Sequence, residues 1–348
     1  MENYCYAIGI NGENDMWDKC LIIAEAGVNH NGDVNLAYKL CDAAKEAGAD
    51  VVKFQTWKTE AIITQNVDQA EYQQENTGIS ESQFDMLKKL ELTQDEFRKV
   101  KEHCDSIGIT FASTADEAES LDFLVNLGIP FIKIGSGEIG NVSYLRYMGS
   151  KKMPVILSTG MSSLADIDIS LQALREGGAT DITLLHCTTS YPCAFENVNL
   201  NAMNTLREAF KLPVGYSDHT LGNTVAIAAV AMGAKVIEKH FTLDKNMKGP
   251  DHKASSNPEE FATLVREIRN IENAMGNGKK EATQVEKEIS KVVLKRIVAK
   301  KPIREGQVIT EADICVKRND VGLACSKWDI VIGTKARKDY VVDEGIEL

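Results

Sequence analysis

A short unit recurs along the first three quarters of the chain: a helical segment ends at a glycine, and a strand rich in β-branched residues follows at once. Glycine commonly ends helices in the left-handed conformation, so each unit predicts a helix that turns directly into a strand. Four copies read EAGADVVKF, SIGITF, NLGIPFIKI and MGAKVIEK. Repeated alternation of strands and helices predicts a parallel sheet that is covered by helices.

The spacing of these units predicts the class of the sheet. Strands are predicted at residues 21–24, 51–55, 109–112, 131–134, 155–158, 182–186, 214–216 and 236–240. Helical patterns lie between them, among them residues 36–47, 95–106, 118–127, 164–176 and 224–232. Strands of this number and regularity favour a closed (β/α)8 TIM barrel over an open, doubly wound sheet.

The pattern changes towards the C-terminus. The segment Asn257-Pro258-Glu259-Glu260 predicts a helix start, because Asn caps, Pro suits the first turn and acids suit the positive end. A polar segment follows, and after it come short strands and turns. We therefore predict a barrel domain over 1–280, a linker over 281–292 and a small β-rich domain over 293–348. The interval between the second and third strands is long, and its polar part, 64–82, predicts a rim or lid over the barrel mouth.

Charge and cysteine usage narrow the class of function. The chain has 51 acidic and 39 basic residues, a formal net charge of −12, which disfavours binding to nucleic acid or to an anionic membrane. Its N-terminus has early acidic residues and lacks the layout of a signal peptide, and no apolar run is long enough to cross a membrane. The eight cysteines include Cys5 and form no CxxC pair. We expect reduced thiols and a cytoplasmic protein.

Active sites of such barrels lie at the C-terminal ends of the strands, and the polar residues there predict an anion site. Lys53 and Lys133 lie inside apolar strands, where a lysine without a partner is costly. Hydroxyl groups beside glycine-rich backbone follow other strands: Thr114, Ser136, Ser158 and Thr189. Two cations with neutral donors around them predict a phosphorylated acid as the ligand.

Histidines at neighbouring strand ends predict a metal site. His219 and His240 end the last two strands, and Asp218 and Glu238 lie beside them in the sequence, where a carboxylate orients an imidazole. Two neutral imidazoles with oxygen ligands from substrate and water suit Mn²⁺, Mg²⁺, Co²⁺ or an open Zn²⁺ site.

Two carboxylates at the barrel mouth, Glu25 and Glu138, are candidates for a general base or for ligands of sugar hydroxyls. A glycosidase would use such a pair as acid and nucleophile. That alternative leaves the lysines and hydroxyl groups without a role.

Eight motifs in order resemble the sialic acid synthase family, the N-acetylneuraminate synthases. They are GVNHNG, VVKFQT, IKIGSGE, ILSTGM, LLHCTTSYP, GYSDHTLG, VIEKHFTLDK and GPDHKAS. The resemblance extends over the chain from about residue 20, and the C-terminal module resembles the antifreeze-like SAF domain of that family. It implies condensation of phosphoenolpyruvate with N-acetylmannosamine and water, with cleavage of the C–O bond, to give N-acetylneuraminate and phosphate.

The resemblance also implies a role for individual residues. Glu25, Lys53, Lys133 and Glu138 would be catalytic, and His219 and His240 would bind a divalent metal, by expectation Mn²⁺. Phosphoenolpyruvate would contact Lys53, Thr114, Lys133, Ser136, Ser158, Thr189 and Ser217. The sugar would contact Glu25, Gln55, Tyr191, Asp251 and, from the second chain of a domain-swapped homodimer, Arg318.

Three alternatives stay open at this point. The nearest is N,N′-diacetyllegionaminate synthase, whose acceptor is 2,4-diacetamido-2,4,6-trideoxymannose. The second is a barrel aldolase that forms a Schiff base at Lys133 and needs no metal. The third is a catalytically inactive sugar-binding protein, which would be expected to lack the glutamate, lysines and histidines found here.

Overall fold

The computed structural model describes residues 19–69, 74 and 81–348; Cys5 and the middle of the predicted lid lie outside these residues. Contacts between residues divide the chain into two compact units, Met1–Gly276 and Asn277–Leu348. No helix within the described ranges is long and apolar enough to span a bilayer.

The described part of the first unit contains a closed barrel of eight parallel strands in sequential order. They are β1 (Leu21–Gly27), β2 (Val51–Thr56), β3 (Thr110–Ala115), β4 (Ile132–Ile134), β5 (Val155–Ser158), β6 (Ile182–Cys187), β7 (Val214–Asp218) and β8 (Val236–His240). Closure is completed by β1, which pairs with both β2 and β8. The predicted TIM barrel is confirmed.

Helices connect the strands and cover the barrel. They are α1 (Val34–Glu46), α2 (Thr59–Ile62), α3 (Gln83–Leu90), α4 (Gln94–Ile107), α5 (Ala118–Leu127), α6 (Val142–Ser150), α7 (Leu164–Gly177), α8 (Ala202–Phe210), α9 (Thr224–Ala231) and α10 (Pro258–Met275). Local sequence fixes several ends: Asn257 and Glu260 form a capping box at the start of α10, and Gly108 and Gly128 end α4 and α5 in the left-handed conformation.

Alternation along the strands builds two apolar layers. Ile22 and Ala24 of β1 are buried against the helices, whereas Ile23 between them joins a cluster inside the barrel. Successive strand side chains point to opposite faces, so each strand supplies both layers. The inner cluster contains Ile23, Val51, Ala112, Phe131, Ile156, Leu185 and Val236. This apolar plug fills the barrel, and polar side chains follow it at the C-terminal strand ends.

The second unit contains a helix where the sequence predicts a linker. The sequence predicts a polar linker over 281–292, and in the structure α11 forms over Gln284–Val293. Thr283 and Glu286 form a capping box that satisfies backbone donors of its first turn, a local signal that the polar composition obscured. Apolar side chains of this segment are exposed in the single chain: Val285, Ile289, Val292, Val293 and Leu294.

The rest of the second unit is small and irregular. Strands β9 (Lys295–Ala299) and β10 (Ile314–Arg318) pair antiparallel, and a short helix, α12, spans Trp328–Val331. Its own core contains Ile297, Ala299, Ile303, Ile309, Ile314, Val331, Ala336, Tyr340 and Ile346.

Candidate active site

Strand register brings the polar residues together at one end of the barrel. Glu25 on β1 pairs with Lys53 on β2 and with His240 on β8. Thr114 on β3 pairs with both Gln55 on β2 and Lys133 on β4. These residues follow the apolar plug along their strands, so the parallel sheet places residues distant in sequence in one ring.

The two predicted lysines are buried in this ring. The Nζ atom of Lys53 lies 2.6 Å from Oε2 of Glu25 and donates to Oγ1 of Thr114 over 2.9 Å. The Nζ atom of Lys133 donates to Oγ of Ser158 over 2.8 Å and to the carbonyl oxygen of Ile134 over 3.2 Å. Both lysines thus lie at the C-terminal end of the barrel strands with hydroxyl groups beside them.

Glu238 joins the two lysines, a role that sequence reasoning missed. Its Oε1 atom lies 3.3 Å from Nζ of Lys133, and its Oε2 atom lies 3.6 Å from Nζ of Lys53. The hydroxyl of Ser217 donates to Oε1 over 3.0 Å. Burial raises the pKa of Glu238, but the charges of Lys133 and Lys53 outweigh burial and hold that pKa below its usual range. The sequence suggested that Glu238 orients a histidine; the structure pairs it with the lysines.

A glycine leaves room for the hydroxyl groups at the outer side of the lysines. The backbone N–H of Gly160 donates to Oγ of Ser136 over 2.9 Å. A Cβ atom on Gly160 would lie closer than 3.0 Å to Oγ1 of Thr189 and 2.8 Å from Oγ of Ser136. Ser136 and Thr189 therefore converge where residue 160 has no side chain. We call Ser136, Ser158, Gly160 and Thr189 the hydroxyl cradle.

The predicted metal ligands face each other. The imidazole centroids of His219 and His240 are 5.4 Å apart. Burial lowers the pKa of His219, and burial together with the neighbouring His219 lowers the pKa of His240 to about 3, so both rings are neutral at pH 7. The Nδ1 atom of His240 is buried without a hydrogen-bond partner and lies 3.8 Å from Oδ2 of Asp251.

These features fit a divalent metal with an incomplete protein shell. A neutral imidazole offers a lone pair, and a buried nitrogen without a hydrogen bond is costly unless something binds it. Among the described residues, no group of three or more His, Cys, Asp or Glu side chains is arranged to hold a metal. A metal bound by His219 and His240 would therefore keep positions open for oxygen ligands, as catalytic metals do.

The predicted sugar residues lie beside the histidines. Gln55 donates from Nε2 to Oε1 of Glu25 over 2.9 Å, and the ring of Tyr191 lies 4.2 Å from that of His219, centroid to centroid. Burial raises the pKa of Asp251 to about 7, with a further contribution from the charge of Glu25. Tyr191 and Asp251 thus lie next to the histidines, and Gln55 contacts Glu25, which pairs with His240 in the sheet.

Two other predicted site residues are Glu138 and Arg318. Glu138 is half-buried in the turn after β4, where its Oε2 atom accepts a hydrogen bond from Nδ2 of Asn141 over 2.7 Å. Burial raises its pKa, and its charge contributes with burial to raise the pKa of Asp116 to about 7. Arg318 belongs to the second unit, where it ends β10 as an exposed residue.

His186 has a structural role. Its Nε2 atom donates to the carbonyl oxygen of Val198 over 2.7 Å, which fastens the loop after β6. Burial raises the pKa of the neighbouring Cys187, so this thiol lacks the properties of a nucleophile. A cavity of about 710 Å³ opens behind Cys187 and Thr189 and is lined by side chains without charge, such as Ser162, Thr205 and Asn201.

Comparisons with known proteins agree with this geometry. A model of the NeuB family matches residues 40–280. The chain is 48% identical over 328 residues to the N,N′-diacetyllegionaminic acid synthase of Campylobacter jejuni, with 94% of this chain and 98% of that protein covered. The chain belongs to the NeuB family. The predicted membership of the sialic acid synthases is thereby confirmed.

Two further relatives place the chain within the NeuB family. The N,N′-diacetyllegionaminic acid synthase of Legionella pneumophila is 46% identical over 320 residues, with 91% of this chain and 90% of that protein covered. The crystal structure of N-acetylneuraminic acid synthetase from Leptospira borgpetersenii in complex with citrate is 34% identical. It superposes with a TM-score of 0.70 over 78% of this chain and 90% of that one.

Proposed function

We propose that this protein condenses phosphoenolpyruvate with 2,4-diacetamido-2,4,6-trideoxymannose and water to give N,N′-diacetyllegionaminate and phosphate. The observation that carries the reaction type is the pair of buried lysines beside a hydroxyl cradle and two neutral imidazoles. The choice of acceptor is supported by identities of 48% and 46% to two proteins named N,N′-diacetyllegionaminic acid synthase. The sequence alone favoured N-acetylmannosamine, and relatedness now favours the alternative.

N-Acetylmannosamine remains the second candidate acceptor. The solved N-acetylneuraminic acid synthetase is 34% identical to this chain, and the two acceptors share the aldehyde and the 2-acetamido group. The predicted contacts at Glu25, Gln55, Tyr191 and Asp251 lie beside the metal-ligand pair, and they suit the features that both sugars have in common.

Phosphoenolpyruvate would bind with its anionic groups on Lys53 and Lys133. Both lysine side chains are 3% exposed, so an anion there interacts with them in a poorly solvated environment. The hydroxyl groups supply further donors: Thr114, Ser136, Ser158, Thr189 and Ser217. These fixed donors stabilise negative charge throughout the reaction. Such electrostatic stabilisation is usually the largest contribution that an enzyme makes to the rate.

Proton movements accompany the reaction steps. Carbon 3 of phosphoenolpyruvate forms a bond to the aldehyde carbon as the C=O bond opens, which leaves positive charge at carbon 2, and the resulting alkoxide takes a proton from solvent. Water adds to carbon 2 and gives a proton to Glu25, a buried carboxylate whose pKa burial raises above its usual range. The tetrahedral product then releases phosphate by cleavage of its C–O bond, leaving a 2-keto acid. Lys53, 2.6 Å from Glu25, holds that carboxylate in place.

His219 and His240 would hold a divalent cation, by proposal Mn²⁺, with Mg²⁺ and Co²⁺ as alternatives. Such a cation supplies Lewis-acid polarisation of the sugar aldehyde. The two rings are oriented for this role by the hydrogen bond of His219 to Thr188 and by packing against Tyr191.

A homodimer with exchanged C-terminal units is part of the proposal. The exposed apolar side chains of α11 form a stripe with helical spacing, which a second chain would cover. In that arrangement Arg318 of the SAF-like second unit would bind the acetamido group of the sugar in the partner's barrel. We also propose a cytoplasmic location, where phosphoenolpyruvate is available.

The test is release of phosphate from phosphoenolpyruvate labelled with ¹⁸O at the bridging oxygen. Mn²⁺ is present, and each of the two sugars is offered with and without EDTA. We expect chelator-sensitive release with 2,4-diacetamido-2,4,6-trideoxymannose and ¹⁸O in the phosphate. Faster turnover of N-acetylmannosamine would transfer the assignment to neuraminate synthesis.

The same assay separates the remaining alternatives. An aldolase acting through Lys133 would work in EDTA, and borohydride would trap its sugar or pyruvate on the lysine. An inactive sugar-binding protein would bind a sugar without releasing phosphate. Either result contradicts the proposed function.

A further inference from the structure

Lys133 differs from Lys53 in the charges it contacts. The three polar groups around its ammonium are Oγ of Ser158 at 2.8 Å, the carbonyl oxygen of Ile134 at 3.2 Å and Oε1 of Glu238 at 3.3 Å. The first two are neutral. Within the described residues, Glu238 is therefore the one carboxylate in ion-pair contact with Lys133.

Lys53 has a second counter-ion. Glu25 lies 2.6 Å from its Nζ atom, closer than Glu238 at 3.6 Å. Removing the charge of Glu238 would leave Lys53 paired and Lys133 buried with neutral partners alone. A buried ammonium without a counter-ion tends to lose its proton, because burial disfavours the charged form.

We propose that Glu238 is a positioning residue that keeps Lys133 protonated and directed at the anion in the site. The inference deepens the proposed function and rests on it, since it assigns to Lys133 a phosphoenolpyruvate or phosphate ligand. It gives Glu238 a role in substrate binding that differs from support of the histidines.

The charged groups around Lys133 define the sign of the effect. Burial has the largest effect on the pKa of Lys133 and lowers it. The charge of Glu238 on β8 raises this pKa, and the charge of Lys53 on β2 lowers it. Glu25 on β1 and Cys187 on β6 raise that pKa by smaller amounts. Neutralising Glu238 removes the largest opposing contribution, so the pKa of Lys133 falls further below that of an ordinary lysine.

Glu238 also repels a bound anion. A pH profile of binding separates this repulsion from the effect of Glu238 on the protonation of Lys133. Glu238 stays ionised throughout the neutral and alkaline range, so its repulsion changes the affinity by the same factor at each pH. Protonation of Lys133 changes the affinity only near the pKa of the lysine. The midpoint of the alkaline loss of binding therefore reports Lys133, whereas the plateau at lower pH reports repulsion.

The experiment is calorimetric titration of the full-length protein with phosphoenolpyruvate and with inorganic phosphate, from about pH 6 to about pH 10, with and without EDTA. Wild-type protein and Glu238→Gln are compared after circular dichroism has established equal folding. We expect the alkaline midpoint of Glu238→Gln to lie lower by about one pH unit or more.

Three variants serve as controls. Ser158→Ala removes a neutral hydrogen-bond acceptor of the Lys133 ammonium and leaves its counter-ion in place, so it should weaken binding at every pH and move the midpoint less than Glu238→Gln does. Glu25→Gln neutralises a carboxylate that contacts Lys53, so its midpoint should move less than that of Glu238→Gln. Glu238→Asp keeps the charge, and its midpoint should stay closer to wild type even if Glu238→Gln fails to fold.

The outcomes distinguish the inference from the function. Wild-type binding of either anion with an unshifted midpoint in Glu238→Gln overturns the inference alone, as does an equal shift in Glu238→Asp. Wild-type protein that binds neither anion overturns the proposed function and this inference together.

Discussion

His219 donates a hydrogen bond from Nδ1 to the carbonyl oxygen of Thr188 over 2.8 Å. A carbonyl oxygen can only accept, so Nδ1 carries the proton of this neutral ring and Nε2 carries the lone pair. The loop after β6 thereby selects the tautomer in which Nε2 is free to bind a metal. The same loop carries Tyr191, which packs against both histidines.

Loss of either histidine should greatly weaken metal binding. We expect His219→Ala and His240→Ala to weaken Mn²⁺ binding by on the order of 100-fold or more, measured by electron paramagnetic resonance. The matched control is His103→Ala, a helix residue that pairs with Asp42 over 2.7 Å. Tight Mn²⁺ binding in both barrel-mouth variants would contradict the assignment of the ligands.

Gly160→Ala should damage the hydroxyl cradle, because its Cβ would lie 2.8 Å from Oγ of Ser136 and closer still to Thr189. We expect the KM for phosphoenolpyruvate to rise about 10-fold, the scale of a small overpacking. Gly137→Ala is the matched control, since a Cβ at Gly137 meets nothing within 4 Å. Equal kinetics for the two variants would show that the cradle does not bind substrate.

Glu25→Ala should lose turnover while it keeps the fold and the metal site. Glu25 is buried between Lys53 and Gln55, and we assign the proton of the attacking water to it. We expect kcat to fall by about 10²- to 10⁴-fold, the usual contribution of a general base. Circular dichroism and Mn²⁺ binding establish integrity, and full activity in this variant would overturn the assignment.

Asp181→Asn should stabilise the protein at alkaline pH. Burial raises the pKa of Asp181 to about 6, and its Oδ2 atom has no hydrogen-bond partner. The folded state holds a proton that the unfolded chain, with a pKa near 3.8, releases, so Asp181 lowers stability as pH rises through this window.

The melting temperature measures this effect. Asp181→Asn should melt higher than wild type at about pH 8, and the gain should shrink towards about pH 4.5, below most of the titration window. The control Asp168→Asn alters an exposed carboxylate on α7 and should leave the melting temperature unchanged. If the melting temperature rose by the same amount at every pH, the stabilisation would come from packing at residue 181 and not from removal of its charge.

Arg318→Ala tests the proposed exchange of C-terminal units. We expect the variant to fold and to dimerise, judged by light scattering, while the KM for the acceptor rises about 10-fold through loss of a charged hydrogen bond. Mixing Arg318→Ala with Glu25→Ala should restore part of the activity, since a mixed dimer then has one complete site. An unchanged acceptor KM would show that Arg318 does not reach the substrate.

The polar residues at the C-terminal strand ends could be predicted from the sequence, because each of them follows directly from the position of its own strand. Lys53 and Lys133 are lysines within apolar strands, and the C-terminal ends of parallel barrel strands lie at the same end of the barrel. The pairing of Glu238 with both lysines depends on which strand neighbours meet across the barrel, and its position beside His240 suggested a different partner. The convergence of Ser136 and Thr189 on Gly160 likewise depends on three loops at once.

In the second unit, sequence analysis did not predict α11. Its linker was predicted from polar composition over 281–292, yet Thr283 and Glu286 cap a helix there. A surface helix of a globular protein usually packs its apolar face on the core of its own chain. The apolar side chains of α11 are exposed in the single chain, so packing on its own core does not explain this helix. The capping box at Thr283 and Glu286 can be recognised in the sequence, but the surface that would cover the apolar side of the helix cannot.

The pairing of Glu25 with His240 joins the first strand of the barrel to the last. During synthesis, β1 leaves the ribosome long before β8 exists, so neither the carboxylate nor the lysine beside it has its final neighbours until some two hundred residues later. A chain that ends before β8 therefore lacks Glu238, the counter-ion of Lys133, and His240, a predicted metal ligand. Closure of the barrel by β8 is the step that brings the site residues of the first and last strands together.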